Sequence, residues 1–441
     1  MEMKREMRSR RVVAFLSLVV VVGLIALAAC GPAAAPELEV KAAEPARAAA
    51  VDGVFKLGIL GPFTGPSVDV GNEFKGAVTM AFDAVDWQIG PYTIEPVWID
   101  SQSDPDAAVE AYEKAVVEEG IQAAILNWHS SVAVACMDVA ARYKIPHIFP
   151  YGATEVVNEK FQSDPERYGY WMNKGWPMPP KLSIAYVQAI EEAIAKGDWR
   201  PAEKTVAICG ENTDWGLGFG QAIRAQLEAA GWTTVAEEYF ALDQVEFYPL
   251  LNEFKAKEVA LVAVTTTALP SFAAFINQAD EVGLESLIIA DGLGWSGEWY
   301  RMTGESSNYV IDQIPGWATA EGQAFAEDFE ARWQVTPSSS AAGLAYDGTN
   351  MFIQIAEQAL AEYGELSSET VYGWARENLQ TGKWSYTDGI VMQEYKYTVE
   401  TLPDPVVGAG YYVFPVRQYF GGEGMVIYPP EWAGQPFQAK P

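Results

Sequence analysis

Residues 127–154 read NWHSSVAVACMDVAARYKIPHIFPYGAT, and this stretch decides the fold. Just before it, Ala123–Leu126 is a short apolar run that reads as a strand. Val132–Tyr143 has the spacing of a helix, and His147–Phe149 follows Pro146 as a second strand. A strand, a helix and another strand in such a short span form a βαβ unit, which joins parallel strands. Between the first strand and the helix stand His129, Ser130 and Ser131. A helix N-terminus there offers unpaired N–H groups and partial positive charge, which suits a carboxylate. The other reading of Ser130 or Ser131 is a plain N-cap.

The same alternation extends in both directions. On the N-terminal side, Phe55–Leu60 is a strand that ends at Gly61-Pro62, and Gly71–Asp86 is helical through Phe74, Val78, Ala81, Phe82 and Val85. Ile94–Ile99 is a strand. Asp104-Pro105-Asp106 opens a helix that runs to Glu119 and stops at Gly120, with Asp as N-cap and Pro at the first helical position. On the C-terminal side, residues 163–181 lack any period and are dense in Pro, Gly and aromatics, which marks a first passage between lobes. Strand–helix pairs resume with Thr205–Cys209 and Gly216–Ala230, Thr234–Tyr239 and Tyr248–Lys255, and Ala260–Val264 and Pro270–Val282. Leu287–Ala290 is the last strand of that run. From 320 the pattern is mostly helical through Arg376–Leu379, and the last fifty residues read as strands and loops. Two βαβ runs with apolar, β-branched strands predict an α/β fold of two doubly wound lobes with parallel-sheet cores.

Length and composition agree. The 441 residues are 49% hydrophobic and 20% charged, which suits two or three domains with substantial cores and excludes a mainly disordered chain. A net charge of −30 opposes any nucleic-acid partner. With two histidines and three scattered cysteines, Cys30, Cys136 and Cys209, the usual zinc ligand sets cannot be assembled.

The first thirty residues read as an address. Residues 1–11 carry five basic and two acidic side chains, and residues 12–29 carry no charge. This is a secretory signal pattern. Leu27-Ala28-Ala29-Cys30 resembles the lipobox of bacterial lipoproteins, which implies cleavage after residue 29 and a lipid on Cys30. Losing residues 1–29 leaves the mature chain at −33, since five basic and two acidic groups go with them. Residues 31–53 hold nine Ala and three Pro and no aromatic residue, so 30–53 reads as a lipid-anchored flexible tether. The working part is then extracytoplasmic and attached to the membrane surface.

No enzyme signature stands out. There is no GxSxG, HExxH or P-loop, and Gly216, Gly218 and Gly220 have GxGxG spacing, which reads as close helix–loop packing rather than a dinucleotide turn. His129 has no nearby cysteine or preceding carboxylate to make it a base. No catalytic residue, cofactor or metal is assigned.

In open α/β sheets, ligands sit beyond the C-terminal ends of the strands. The segments at those ends are 61–71, 127–131, 151–154, 211–215, 265–269 and 291–295. Together with KLGILGPFTGP at 56–66, ENTDWGLGFGQAIRAQLEAAG at 211–231 and AFINQADEVGLESLIIADG at 274–292, they resemble the branched-chain amino-acid-binding type of periplasmic binding protein. This is the leucine/isoleucine/valine-binding family of ABC importers, in its lipoprotein form. The resemblance covers about residues 54–400.

The resemblance implies two lobes joined by three crossings, a type I periplasmic binding protein. Lobe one is then 54–172 and 318–405, and lobe two 173–317 and 406–441, with the ligand held between them. Cys136 and Cys209 fall in different lobes, which favours two buried thiols over a disulfide. Ser130 matches the family serine that binds an α-carboxylate, with Ser131 beside it. Gly152 and Thr154 match the second anchor, although Thr154 also reads as a turn residue. Asp291 aligns with the acid that pairs with an ammonium, or is an ordinary loop carboxylate. Trp215 stands at an aromatic lid and Tyr346 at a helix tyrosine facing the cleft. Ala268 and Leu269 depart from a tyrosine that encloses an aliphatic side chain, and Val70 from an aromatic position. Trp128, Trp176, Trp295 and Trp299 all lie near cleft segments. The ligand class is therefore left as an amino acid, an aromatic acid or an amide.

The function implied is a monomeric solute-binding lipoprotein that serves an ABC permease and ATPase, with no reaction of its own. The alternative is a ligand-sensing receptor subunit of the same fold feeding a signalling partner. A lipid-anchored hydrolase lacks any supporting nucleophile motif.

Overall fold

A computed structural model describes residues 53–317 and 319–440. The signal segment, Cys30 and all but the last residue of the tether lie outside the described residues.

The N-terminal part runs β1 (Val54–Gly61), α1 (Val68–Asp83), β2 (Gln88–Ile89), β3 (Tyr92–Asp100), α2 (Pro105–Lys114), β4 (Ala123–Ile125), α3 (Ser130–Tyr143), β5 (His147–Ile148), α4 (Glu155–Ser163) and α5 (Pro165–Tyr168). Its sheet has the order β2-β3-β1-β4-β5, parallel except for the β2–β3 pair. The central strands are apolar and buried, as strands covered on both faces must be. Asp104 caps α2 through the Ala107 N–H and Pro105 follows it, as the sequence predicts; the last turn, Ala115–Glu119, widens to a π-helix before Gly120 turns left-handed.

The second part runs α6 (Pro179–Lys196), β6 (Thr205–Glu211), α7 (Asp214–Ala229), β7 (Thr233–Phe240), α8 (Tyr248–Ala256), β8 (Leu261–Thr265), α9 (Leu269–Glu281), β9 (Leu287–Asp291), α10 (Trp299–Thr303) and β10 (Ile311–Gln313). Then α11 (Ala320–Trp333), α12 (Leu344–Tyr363) and α13 (Ser368–Asn378) return to the first sheet, and β11 (Val416–Phe420) and β12 (Glu423–Tyr428) finish the second. That sheet has the order β12-β11-β10-β9-β8-β6-β7, antiparallel only at β10–β11–β12. Two expectations need adjusting. The helix given as Gly71–Asp86 starts at Val68 and ends at Asp83, because Asp86 and Trp87 turn left-handed. The segment 163–181 is not all passage: it holds α5 and the first turn of α6, each opened by a proline.

Each sheet has one point where the order of connection reverses: between β1 and β4 in the first, and between β6 and β8 in the second. Loops leaving neighbouring strands there diverge and leave a crevice. The two crevices face each other across the lobes. Cys136 and Cys209 are free and buried, one on α3 and the other on β6.

A buried ion cluster ties two of the crossings together. Lys174 and Asp404 are fully buried and 2.8 Å apart, and Lys181 reaches the other Asp404 oxygen at 2.9 Å. Lys174 also donates to Asn158 Oδ1 at 2.6 Å, and the Met178 N–H donates to Asp404. Burial alone would raise the Asp404 carboxyl, but the two ammonium groups outweigh it and hold the group below its usual range. Breaking such a pair strands a charge in a dry interior. Asp404→Asn is expected to cost about 3–5 kcal/mol, seen as a lower urea midpoint. An unchanged midpoint would show that the cluster contributes nothing.

Candidate functional site

The two crevices enclose one cavity. Its wall comprises Trp128, Ser130, Tyr151 and Ala153 from the first lobe, Trp176 from the crossing, and Trp215, Thr267 and Trp295 from the second. Its volume is about 20 Å³, room for a single water molecule, so a larger solute enters only as the wall parts. A wider cleft of about 930 Å³ opens around Trp299, Arg301, Trp317 and Arg417. Arg417 there donates to the carbonyls of Ile314, Pro315 and Gly424, which makes it a brace for the crossing. The smaller cavity is the better site, because it lies at the strand ends where both sheets reverse.

Local backbone geometry presents the wall. Leu126 and Phe149, at the ends of β4 and β5, have φ of 62° and 58°, a left-handed conformation that bulky residues rarely adopt. The Phe149 N–H is held by Asn173 Oδ1 at 2.9 Å, and the Tyr151 N–H by the Asn127 carbonyl at 3.1 Å. These sharp turns carry Trp128 and Tyr151 to the cavity. Gly152 has a φ of +25°, and a Cβ there would lie 2.3 Å from that of Ala133, so only glycine lets this loop pass α3. Gly216, the first glycine of the GxGxG stretch, would place a Cβ 1.9 Å from the Glu211 carbonyl oxygen, which supports the packing reading of that turn.

The indoles pack around Trp295. Its ring centroid lies 5.7 Å from Trp128, 5.4 Å from Trp176 and 5.3 Å from Trp215, at interplanar angles of 87°, 78° and 62°. Trp215 donates from Nε1 to Thr265 Oγ1 at 2.8 Å, and Trp128 to the Thr267 carbonyl at 3.4 Å. Trp176 and Trp295 are buried, yet their Nε1–H groups have no acceptor.

Charges are absent from this wall. Glu211 stands behind Thr267 and accepts from the hydroxyls of Thr213, Thr266 and Thr267 and from the Thr267 N–H. Burial raises its pKa against those four bonds. Asp291, expected beside a ligand ammonium, lies off the wall of this cavity. Tyr186 donates to its Oδ1 at 2.6 Å, and burial, with Asp312 close by, pushes the carboxyl well above its usual range.

The remaining expected residues divide in the same way. Ser130 opens α3 on the wall. The Ser131 hydroxyl instead accepts from the Asp214 N–H at 3.2 Å, linking the lobes. Thr154 is the N-cap of α4, accepting from the Val156 N–H, and its neighbour Ala153 stands on the wall. Tyr346 is not among the wall residues and packs on Phe325 at 4.6 Å within the first lobe. Trp299 stacks on Tyr419 at 4.1 Å, away from the cavity. Tyr151, Ala153 and Thr267 were not singled out. Their signal was position alone, one or two residues beyond a strand end.

Hydrogen bonds close the lobes over the cavity. His129 Nε2 and Ser67 Oγ are 3.0 Å apart, and the Ser67 hydroxyl donates to the Thr267 carbonyl at 2.8 Å. This assigns the Nε2–H tautomer. Burial lowers the His129 pKa to about 3, so the ring stays neutral. Glu73 of α1 accepts from the N–H groups of Gly297, Ser338 and Ala342, and burial raises its carboxyl to about 7.

A family model described as periplasmic binding protein matches residues 54–401. A leucine-, isoleucine-, valine-, threonine- and alanine-binding protein of Pseudomonas aeruginosa is 23% identical over 353 residues, 78% of this chain and 88% of that protein. The crystal structure of a putative branched-chain amino acid ABC transporter from Silicibacter pomeroyi superposes with a TM-score of 0.71 at 20% identity, covering 88% of this chain and 99% of that one. A solute-binding protein of an ABC transporter from Rhodopseudomonas palustris, in complex with 3,4-dihydroxybenzoic acid, gives 0.69 at 17% identity, covering 85% and 95%. With two mostly parallel sheets, three crossings and a cavity where they face each other, the chain belongs to the periplasmic binding protein family.

Proposed function

We propose that this protein is an extracytoplasmic, lipid-anchored receptor that captures a small solute between its lobes and delivers it to the permease and ATPase of an ABC importer. The observation that carries the reading is the composition of the cavity wall, drawn from strand-end loops of both sheets and from a crossing. A solute held there touches both lobes at once, so it stabilises the closed arrangement over an open one. Ser130 and the N-terminus of α3 offer a hydroxyl and N–H groups to a carboxylate. Gly152 sets the loop that carries Ala153 to the wall, and Trp215 covers the solute from the second lobe. The Pseudomonas aeruginosa relative is named for amino acids, and the Rhodopseudomonas palustris neighbour is complexed with an aromatic acid. Both are carboxylates, which supports a carboxylate-bearing ligand. The anchor rests on Leu27-Ala28-Ala29-Cys30.

Three outcomes test this reading. A true solute should reduce the radius of gyration in small-angle scattering. It should also raise the melting temperature, equivalent to about 2.7 kcal/mol at a hundredfold excess over Kd; a solute that binds without shrinking the particle would refute closure. Cys30→Ala should shift the protein from the detergent phase to the aqueous phase in partitioning, or leave uncleaved precursor, and unchanged partitioning of mature-sized protein would refute the anchor.

The third outcome is a pH dependence. The unfolded chain binds a proton on His129 near its ordinary pKa of 6.5, whereas the folded chain resists until about 3. Stability from this group is therefore complete above 6.5 and declines as pH falls towards 3. His129→Gln can keep a donor to Ser67 without titrating. Relative to that variant, the wild type should lose about 2 kcal/mol between pH 7 and pH 5. His147 titrates in both proteins and cancels in the comparison. Parallel urea midpoints at the two pH values would contradict burial of His129.

A further inference from the structure

We infer that the solute carries a methylated, quaternary ammonium head together with a carboxylate or carbonyl acceptor. This rests on the reading of the cavity as the solute site. Five aromatic rings, Trp128, Tyr151, Trp176, Trp215 and Trp295, make up most of its wall. A trimethylammonium group has no hydrogen to donate. It is held by the electron-rich faces of aromatic rings, tryptophan best of all.

Ring orientation separates this solute from a flat one. A planar aromatic acid fits a slot between two parallel faces. Here Trp295 meets its three indole neighbours at 62–87°, and Trp128 meets Tyr151 at 57°. Only Tyr151 and Trp176, at 30° with centroids 6.3 Å apart, approach such a slot. Rings set at steep angles, once the wall parts, offer faces to a rounded head from several sides.

Hydrogen-bonding capacity separates it from an ordinary amino acid. A primary ammonium stripped of water needs acceptors and an opposite charge. The carboxylates closest to this role are already occupied: Glu211 by three threonine hydroxyls and a backbone N–H, Asp291 by Tyr186, and Glu73 by three backbone N–H groups. What the wall has in excess is donors. The indole N–H groups of Trp176 and Trp295, rings only 4% and 5% exposed, lack acceptors, and Ser130 opens α3 beside them. These suit a carboxylate. The net charge of −30 draws cationic heads towards the protein.

Calorimetric titration of the solute-free protein tests the assignment with six compounds: glycine, N,N-dimethylglycine, trimethylglycine, leucine, benzoate and 3,3-dimethylbutanoate. The last has the shape of trimethylglycine without the positive charge. Trimethylglycine should bind about tenfold or more tighter than each of the others. Trp295→Phe, which keeps a ring, should weaken trimethylglycine less than Trp295→Leu does. Ser130→Ala should weaken trimethylglycine and leave choline, which has no carboxylate, unchanged. If leucine, benzoate or 3,3-dimethylbutanoate binds as tightly as trimethylglycine, the quaternary-ammonium assignment falls while the solute-capture reading stands. If none of the six binds, and no solute is released on denaturing freshly purified protein, both fall.

Discussion

The Glu73 carboxylate, buried where the lobes meet, is the interaction on which the closed structure depends. It projects from α1 and accepts the backbone N–H of Gly297 in the second lobe and those of Ser338 and Ala342 in the first. One side chain thus satisfies three donors from two separate segments, one in each lobe. A buried carboxylate without such partners would be costly, and burial already raises its pKa to about 7. The arrangement is cooperative, since opening the lobes would return both the acid and the Gly297 donor to water. The Ser67 and Ser131 contacts add lateral restraint, so closure is specified by direction as well as by apolar area.

The cavity follows from the handedness and order of the two sheets. Right-handed crossovers place successive loops on the same edge, and a reversal of strand order parts them. Each lobe therefore offers a notch at a position its topology dictates, while the residues in the notch are free to differ. Here half of the wall residues are tryptophans. Their neighbours behind the wall, Glu211 and Thr265, fix Thr267 and Trp215 by hydrogen bonds. The wall is aromatic at its surface and polar in its support.

Much of this architecture could be read from the chain. The periods of strand and helix, the Asp104-Pro105 start and the glycine stops report local preferences, which act within a few residues. The reversal points are not legible in this way, because alternation gives the elements and not the order in which the strands pair. Side-chain roles at the cleft were harder to read. Asp291 follows an apolar strand in sequence, and nothing nearby shows that Tyr186, from a distant helix, will take its oxygen. Thr154 as an N-cap and as a ligand contact have the same local signature, and only tertiary packing separates them. The start of α6 is hidden in the sequence because its prolines at 179 and 180 resemble a continuing loop, although proline is at home in a first helical turn. Trp128, Trp176 and Trp295 each stand near a cleft segment in the sequence, but their convergence from three segments has no trace in linear order.

That convergence has an optical consequence. Indoles with centroids 5.3–5.7 Å apart and steeply inclined planes couple their electronic transitions, and the coupling changes sharply with distance and angle. Such a cluster, fixed in a chiral setting, contributes to the near-ultraviolet dichroism, alongside the Trp199–Trp232 and Trp374–Trp384 pairs that lie outside the cleft. Trp128 belongs to one lobe, Trp215 and Trp295 to the other, and Trp176 to the segment between them. Any rotation of one lobe against the other changes the angles within the cluster. The chain thus carries an intrinsic chromophore whose spectrum reports lobe position, with no dye or label attached.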